Sequence, residues 1–351
     1  MVQPGEGRKV HVLLTFPLEP ELVQQIEAVD PRLEVRALGQ MARQLFRRYP
    51  SEREAQTARK ELEEAISWAE VLFGFWGPVL VELYPNPETL KQRAPNLRWV
   101  QLTSAGVDRA ARSGLLESEI MLTSASGLHA TPIGEFVLCV ILMFCKGAPM
   151  FMRAQERREW ARYMAQELLG KTVGIVGMGH IGSEVARLAK AFGCRVIASR
   201  RSVAERTRAE AVDELLPASE LPALLAESDF VVLSVPLTKA TRHLIGEAEL
   251  RAMKPTGVLI NIARGAVVDE AALVRALKEG WIGGAGLDVF EQEPLPPESE
   301  LWGLENVILS PHLSGGTEIY NQRAAGIFCE NLRRYLAGEP LMNLVDAERG
   351  Y

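Results

Sequence analysis

The sequence has no C-x-x-C pair. Its four cysteines, Cys139, Cys145, Cys194 and Cys329, stand far apart, so neither a disulfide framework nor a metal site is expected. Three of them fall in apolar helical patterns and read as buried, reduced thiols that pack as small hydrophobes. Basic excess is missing too: 39 Lys and Arg against 45 Asp and Glu leave a net charge of −6, which gives no electrostatic footprint for nucleic acid or an anionic membrane. The longest apolar run, Phe136 to Cys145, falls short of the roughly 20 residues a bilayer demands, and between Glu135 and Lys146 it reads as a buried helix. Met1 to Val10 lacks the apolar stretch of a secretory signal, so a cytoplasmic protein is expected. Low-complexity tracts and short repeats are also missing.

What is present is an ordinary globular composition, 47% apolar and 24% charged over 351 residues, long enough for two domains. Compact β-rich runs at Lys9 to Thr15, Leu33 to Leu38, Val71 to Phe75, Leu97 to Leu102 and Ile120 to Thr123 alternate with helical stretches. That alternation predicts a parallel sheet covered by helices. Within it, the charge-rich helical pattern from Gln40 to Glu70 reads as a solvated face. The second half repeats the alternation with six strands, near 172–176, 195–199, 230–234, 257–262, 284–288 and 306–309, matching one doubly wound nucleotide-binding sheet. Glu293 to Glu298 (EPLPPE) reads as a surface loop, and Thr317 to Ala337 as an amphipathic helix stopped by Gly338 that returns the chain to the first domain.

The strand Thr172 to Val176 runs directly into GMGHIG at 177–182, and Ile181, Val185, Leu188 and Phe192 then mark one helical face. A glycine-rich turn in that context binds the phosphates of a dinucleotide. Gly177 permits the tight turn, Gly179 lets backbone approach the pyrophosphate, and Gly182 lets helix and strand pack closely. His180 and Ile181 open the helix whose N–H groups face the phosphates. The acid that usually meets the adenosine ribose about 20 residues on is replaced by Ser199-Arg200-Arg201. Arginine there forks onto a 2′-phosphate, so NADP is favoured over NAD.

Hydride exchange with a 2-oxo acid requires a cation for the carboxylate, a proton donor for the alkoxide, and a partner that keeps the donor protonated. Arg264 in NIARGAVVDE, His312 in LSPHLSGGT and Glu293 in DVFEQEP supply one of each at strand ends, where such sheets bind ligands. With SAGVD at 104–108, SVPLT at 234–238 and these segments in order, the chain resembles the D-isomer-specific 2-hydroxyacid dehydrogenase family over nearly its whole length.

The resemblance implies that Arg264 holds the carboxylate, His312 is the general acid or base, and Glu293 pairs with it; a carboxylate beside an imidazole favours the protonated ring. It implies a second carboxylate contact at the loop Ser104-Ala105-Gly106-Val107, whose small residues let N–H groups converge on an anion. Val235, Pro236, Thr241, Ile262, Ala263, Asp288 and Gly315 are implied around the cofactor. Phe75 and Trp76 are either pocket wall or core. His11, His129 and His243 fit no constellation.

The expected fold is α/β with two doubly wound parallel-sheet domains. A Rossmann cofactor domain at 126–317 is inserted into a flavodoxin-like substrate domain made of 1–125 and 318–351, and a homodimer is expected by resemblance. The activity implied is NAD(P)H-dependent reduction of glyoxylate or hydroxypyruvate. Alternatives are a phosphoglycerate- or phosphite-type dehydrogenase and a dinucleotide-sensing corepressor. Formate dehydrogenases of the family carry Gln where Glu293 stands, and the large phosphoglycerate enzymes carry a C-terminal extension not seen here.

Overall fold

The computed structural model describes residues 7–42, 52–107, 110 and 113–346. The chain divides into two compact units, Met1–Leu128 with Thr317–Tyr351, and His129–Gly316.

The first unit is built on five parallel strands, β1 (Val10–Leu14), β2 (Leu33–Ala37), β3 (Val71–Gly74), β4 (Trp99–Leu102) and β5 (Met121–Thr123), in the order β2-β1-β3-β4-β5. This is the flavodoxin-like order, with its switch point between β1 and β3. Strands β3 and β4 are buried at every position, which accounts for their apolar sequences, broken only at Gln101 of β4. The edge strand β2 buries none of its residues fully. The helix Glu52–Trp68 packs Leu62, Ala65 and Ile66 inward and leaves Lys60, Glu61 and Glu64 exposed; the rest of that charge-rich stretch, 43–51, lies outside the described residues.

The helix Tyr320–Ala337 belongs to this unit although some 200 residues separate it from β5. Phe328 stacks on Phe73 with ring centroids 4.4 Å apart, and buried Asn331 donates from Nδ2 to Gln101 Oε1 at 2.9 Å. Asn331 Oδ1 accepts from the Met342 N–H at 2.7 Å. Tyr335 donates its hydroxyl to Glu70 at 2.7 Å, and Arg8 pairs with the same carboxylate at 2.6 Å.

The second unit holds β6 (Thr172–Val176), β7 (Arg195–Arg200), β8 (Thr207–Ala209), β9 (Val212–Pro217), β10 (Phe230–Leu233), β11 (Val258–Asn261), β12 (Gly284–Leu287) and β13 (Val307–Leu309). They form one sheet in the order β13-β12-β11-β10-β6-β7-β9-β8. The six expected strands are joined by two that the sequence pattern hid. Strand β9 reads VDELLP, and its carboxylates are neutralised by neighbours: Asp213 by Lys190 at 3.0 Å, Glu214 by Arg195 at 2.5 Å and Arg206 at 3.3 Å. Only β8 runs antiparallel.

The apolar run at 136–145 lies in the helix Ala130–Cys145, which buries Ile133, Val137, Val140, Ile141 and Cys145. Phe136, Leu138, Leu142 and Phe144 are half-buried, and Cys139 is exposed, against the expectation of a buried thiol. Helical period places Cys139 opposite Val137 and Ile141. Cys145, Cys194 and Cys329 are buried, and burial pushes the Cys194 thiol up to about 11. Among the described residues no cluster could hold a metal ion. No single helix among them is long and apolar enough to cross a membrane.

Candidate active site

Strand β6 ends in a turn that only glycine fits well. Gly177 has φ +103°, and a β-carbon on Gly182 would lie 2.1 Å from the Gly177 carbonyl oxygen, so helix and turn touch through backbone. A β-carbon on Gly179 would meet nothing within 4 Å. The space over the start of the helix His180–Ala191 is therefore open, and its unpaired N–H groups suit a pyrophosphate. Ser234, just after β10, donates its hydroxyl to the Gly177 oxygen at 2.6 Å. The turn thus sits where the neighbours of β6 diverge, the switch point of the sheet.

Around it, His180 is exposed and Ile181 half-buried. Ser199 is buried, with its carbonyl accepting from the Gly177 N–H at 3.1 Å, while Arg200 and Arg201 are exposed. Val235 is half-buried and Pro236 exposed. Thr241 donates to the Pro236 oxygen at 2.6 Å and accepts from the Thr238 N–H at 2.8 Å, which closes this loop on itself.

Three further loops follow β11, β12 and β13 on the same edge of the sheet. Buried Asn261 ends β11; its Oδ1 accepts from the Ala263 N–H at 3.1 Å and its Nδ2 donates to the Arg264 oxygen at 3.0 Å. Ile262 and Ala263 are buried, and Arg264 emerges half-buried. A β-carbon on Gly265 would lie 1.8 Å from the Phe290 carbonyl carbon, so the Arg264 loop lies directly on the loop that carries Glu293. Glu293 accepts from the Phe290 N–H at 3.1 Å, and its other oxygen meets His312 Nδ1 at 2.8 Å.

His312 takes φ +53°, an uncommon conformation for a residue with a side chain. Asp288, 1% exposed, holds the loop there. Its Oδ1 accepts from Ser310 Oγ at 2.6 Å and the Leu313 N–H at 2.8 Å; its Oδ2 accepts from the Ser314 N–H at 3.0 Å and Ser314 Oγ at 2.5 Å. An imidazole whose Nδ1–H is held by a carboxylate presents Nε2 to exchange a proton.

Asn261, Ser310 and Ser314 lie within the segments that carry Arg264 and His312 but were not singled out there; polar residues at and just after the ends of β11 and β13 were the available hint. His129 was also missed. A β-carbon on Gly315 would lie 2.8 Å from its ring, and burial, with the charges of Arg264 and His312, holds its pKa below the ordinary value. His243 pairs with Glu291 at 2.7 Å, on the loop that carries Glu293.

In the first unit, Ser104 donates to the Gly106 oxygen at 2.8 Å and its carbonyl accepts from the Ala125 N–H at 2.9 Å. Ala105 and Gly106 are half-buried and Val107 buried. Asp108 of the same motif lies outside the described residues. Phe75 lines a cavity beside Ser104, whereas Trp76 is core, 2% exposed and packed near Tyr84.

The family model "D-isomer specific 2-hydroxyacid dehydrogenase, NAD binding domain" matches residues 138–314. Glyoxylate reductase of Korarchaeum cryptofilum is 40% identical over 277 residues, 77% of this chain and 82% of its own. Glyoxylate reductase of Thermococcus gammatolerans is 42% identical over 267 residues, 73% and 78% respectively. The crystal structure of a D-isomer specific 2-hydroxyacid dehydrogenase from Xanthobacter autotrophicus with NADPH and MES superposes with TM-score 0.78 at 31% identity, covering 98% of this chain and 100% of that one. An NADPH-dependent glyoxylate/hydroxypyruvate reductase from Sinorhizobium meliloti, with NADP and sulfate, gives 0.76 at 29% identity and the same coverage.

Proposed function

We propose, since this chain belongs to the D-isomer specific 2-hydroxyacid dehydrogenase family and is thereby an NAD(P)-dependent enzyme of small 2-oxo and 2-hydroxy acids, that it works as a reductase of glyoxylate or hydroxypyruvate with NADPH. The observation that carries the proposal is the 2.8 Å pair of His312 and Glu293 on the edge of the sheet that also bears the glycine turn. The activities for which the relatives are named, glyoxylate reductase and glyoxylate/hydroxypyruvate reductase, support the same two acids.

The cofactor domain is assigned to His129–Gly316 and the substrate domain to the remaining unit. Gly177, Gly179, His180, Ile181 and Gly182 hold the pyrophosphate, and Ser199, Arg200 and Arg201 the adenosine ribose; two exposed guanidiniums favour a 2′-phosphate. Val235, Pro236, Thr241, Ile262, Ala263 and Gly315 complete the lining. Asp288 acts chiefly by holding the His312 loop. When bound, the dinucleotide supplies the hydride that C2 of the acid receives.

The chain's own residues supply the rest. Arg264 holds the carboxylate and polarises the 2-oxo oxygen; in the first unit, the Ser104–Val107 loop has the small residues that let backbone N–H groups converge on a carboxylate. Glu293 fixes Nδ1–H of His312, so the proton that meets the new alkoxide leaves from Nε2. The exposed apolar side chains of 150–164 support a homodimer.

The test is a paired NADPH and NADH assay over graded 2-oxo acids, with His312→Ala alongside. Wild type is expected to prefer NADPH, and the variant to lose about 10³-fold in kcat with nearly unchanged cofactor Kd. Tight cofactor binding without turnover by wild type would overturn the reductase reading in favour of a dinucleotide sensor.

A further inference from the structure

His243 lies between β10 and the helix Glu247–Ala252, outside the proton-transfer pair, and it ties the Arg264 loop to the Glu293 loop. Its backbone N–H donates to the Ala266 oxygen at 2.8 Å, two residues beyond Arg264. Its ring Nε2 meets Glu291 Oε1 at 2.7 Å, two residues before Glu293. A carboxylate only accepts, so Nε2 carries the proton in this contact.

The two ties differ in what they ask of residue 243. The backbone one continues into a short parallel bridge, in which the Ile245 N–H donates to the Val267 oxygen at 3.1 Å and the Asp269 N–H to the Ile245 oxygen at 2.9 Å. It does not depend on the side chain at 243. The ring contact does. His243 takes φ +50°, a conformation that glycine adopts at lower cost, so the ring is placed there against a backbone preference.

The far end of the ring contact fixes a segment that has little else to hold it. Residues 290–294 lie in no helix or strand, and Glu291, Gln292 and Glu293 are exposed. The Glu291 N–H donates to Glu270 Oε2 at 3.1 Å, so residue 291 is anchored by its backbone to the helix Glu270–Lys278 and by its carboxylate to His243. Only Gln292 separates this anchor from Glu293, whose two oxygens must reach the Phe290 N–H and His312 Nδ1 together.

We propose that His243 is a positioning residue for the reaction: through Glu291, its ring holds the segment that aims Glu293 at His312. That role rests on the reductase reading, which gives Glu293 and His312 the proton transfer. Proton transfer is sensitive to displacements of about 1 Å. The Arg264 loop keeps its backbone tie whatever side chain stands at 243, so loss of the ring reaches kcat and spares the binding of the acid.

The experiment measures kcat and KM for glyoxylate in wild type, His243→Asn, Glu291→Ala, Glu291→Gln and the double variant His243→Asn, Glu291→Ala. Rates are taken per NADPH-binding site, which counts folded enzyme only, so a loss of stability alone does not move them. Asparagine tolerates the left-handed backbone, and its shorter amide stops short of Glu291. An exposed ion pair biases a two-state balance by up to about five-fold. His243→Asn and Glu291→Ala should therefore each lose about 5-fold in kcat, with KM and the NADPH Kd within about two-fold of wild type. The double variant should lose about 5-fold again rather than about 25-fold, because the two residues act as one unit. Glu291→Gln keeps an oxygen acceptor and should hold kcat within about two-fold of wild type.

Unchanged kcat in both single-loss variants, losses that multiply in the double variant, or a rise in KM without a fall in kcat would overturn the positioning role while the reductase stands. No turnover of glyoxylate or hydroxypyruvate by wild type would overturn both.

Discussion

His129 shows how a single residue couples to the site electrically. Burial, then the positive charges of Arg264 and His312, hold its folded pKa below the ordinary value, which is about 6.5. Below that value the unfolded chain takes up the proton more readily than the folded one. Stability from this residue is therefore complete above about pH 6.5 and drains away as pH falls toward the lower folded value. Thermal unfolding at pH 7.5 and pH 5.0 should show a smaller Tm gap in His129→Gln than in wild type; an unchanged gap would place the acid sensitivity elsewhere. Nothing in the sequence around Leu128-His129-Ala130 signals this, because the two charges arrive from segments more than a hundred residues away.

At the scale of elements, long-range polar pairing decides what periodicity does not. The amphipathic pattern of the helix Tyr320–Ala337 was legible, with Gly338 at φ +71° closing it. The buried Asn331 on its inner face breaks that pattern, and the structure accounts for it: Gln101 of β4 and the backbone of Met342 use its amide. Asn331→Ala leaves those groups short of partners inside a packed interface. A loss of about 2–3 kcal/mol is expected, read from the urea midpoint, whereas a change below about 0.5 kcal/mol would mean that the network is replaceable. Strand β9 is the opposite case. Its carboxylates look like solvated surface in the sequence, and it is Lys190, Arg195 and Arg206, brought alongside by the fold, that make the strand tenable.

For the whole molecule, the exposed apolar surface carries the main expectation. Trp160 and Met164 are 91% and 93% exposed in a stretch without regular secondary structure, and Met150, Phe151 and Met152 add to it. Large apolar side chains clustered so openly mark an interaction surface. If a second copy of the chain covers them, light scattering should give twice the chain mass, and the double variant Trp160→Asp, Met164→Asp should give a monomer. A wild-type monomer at micromolar concentration would remove the homodimer from the proposal.

The sequence by itself determined the α/β class, most strands and the chemistry available at their ends, because these depend on local period, on glycine where backbone must bend, and on residue type. Gly177, Arg264, Glu293 and His312 could be named from chain order alone. Only the tertiary structure decided which groups meet. The 2.8 Å contact of His312 with Glu293 and the four hydrogen bonds that Asp288 makes to the His312 loop depend on loops brought together by sheet order. Hydrogen bonding acts over about 3 Å, a distance that spacing along a chain does not encode.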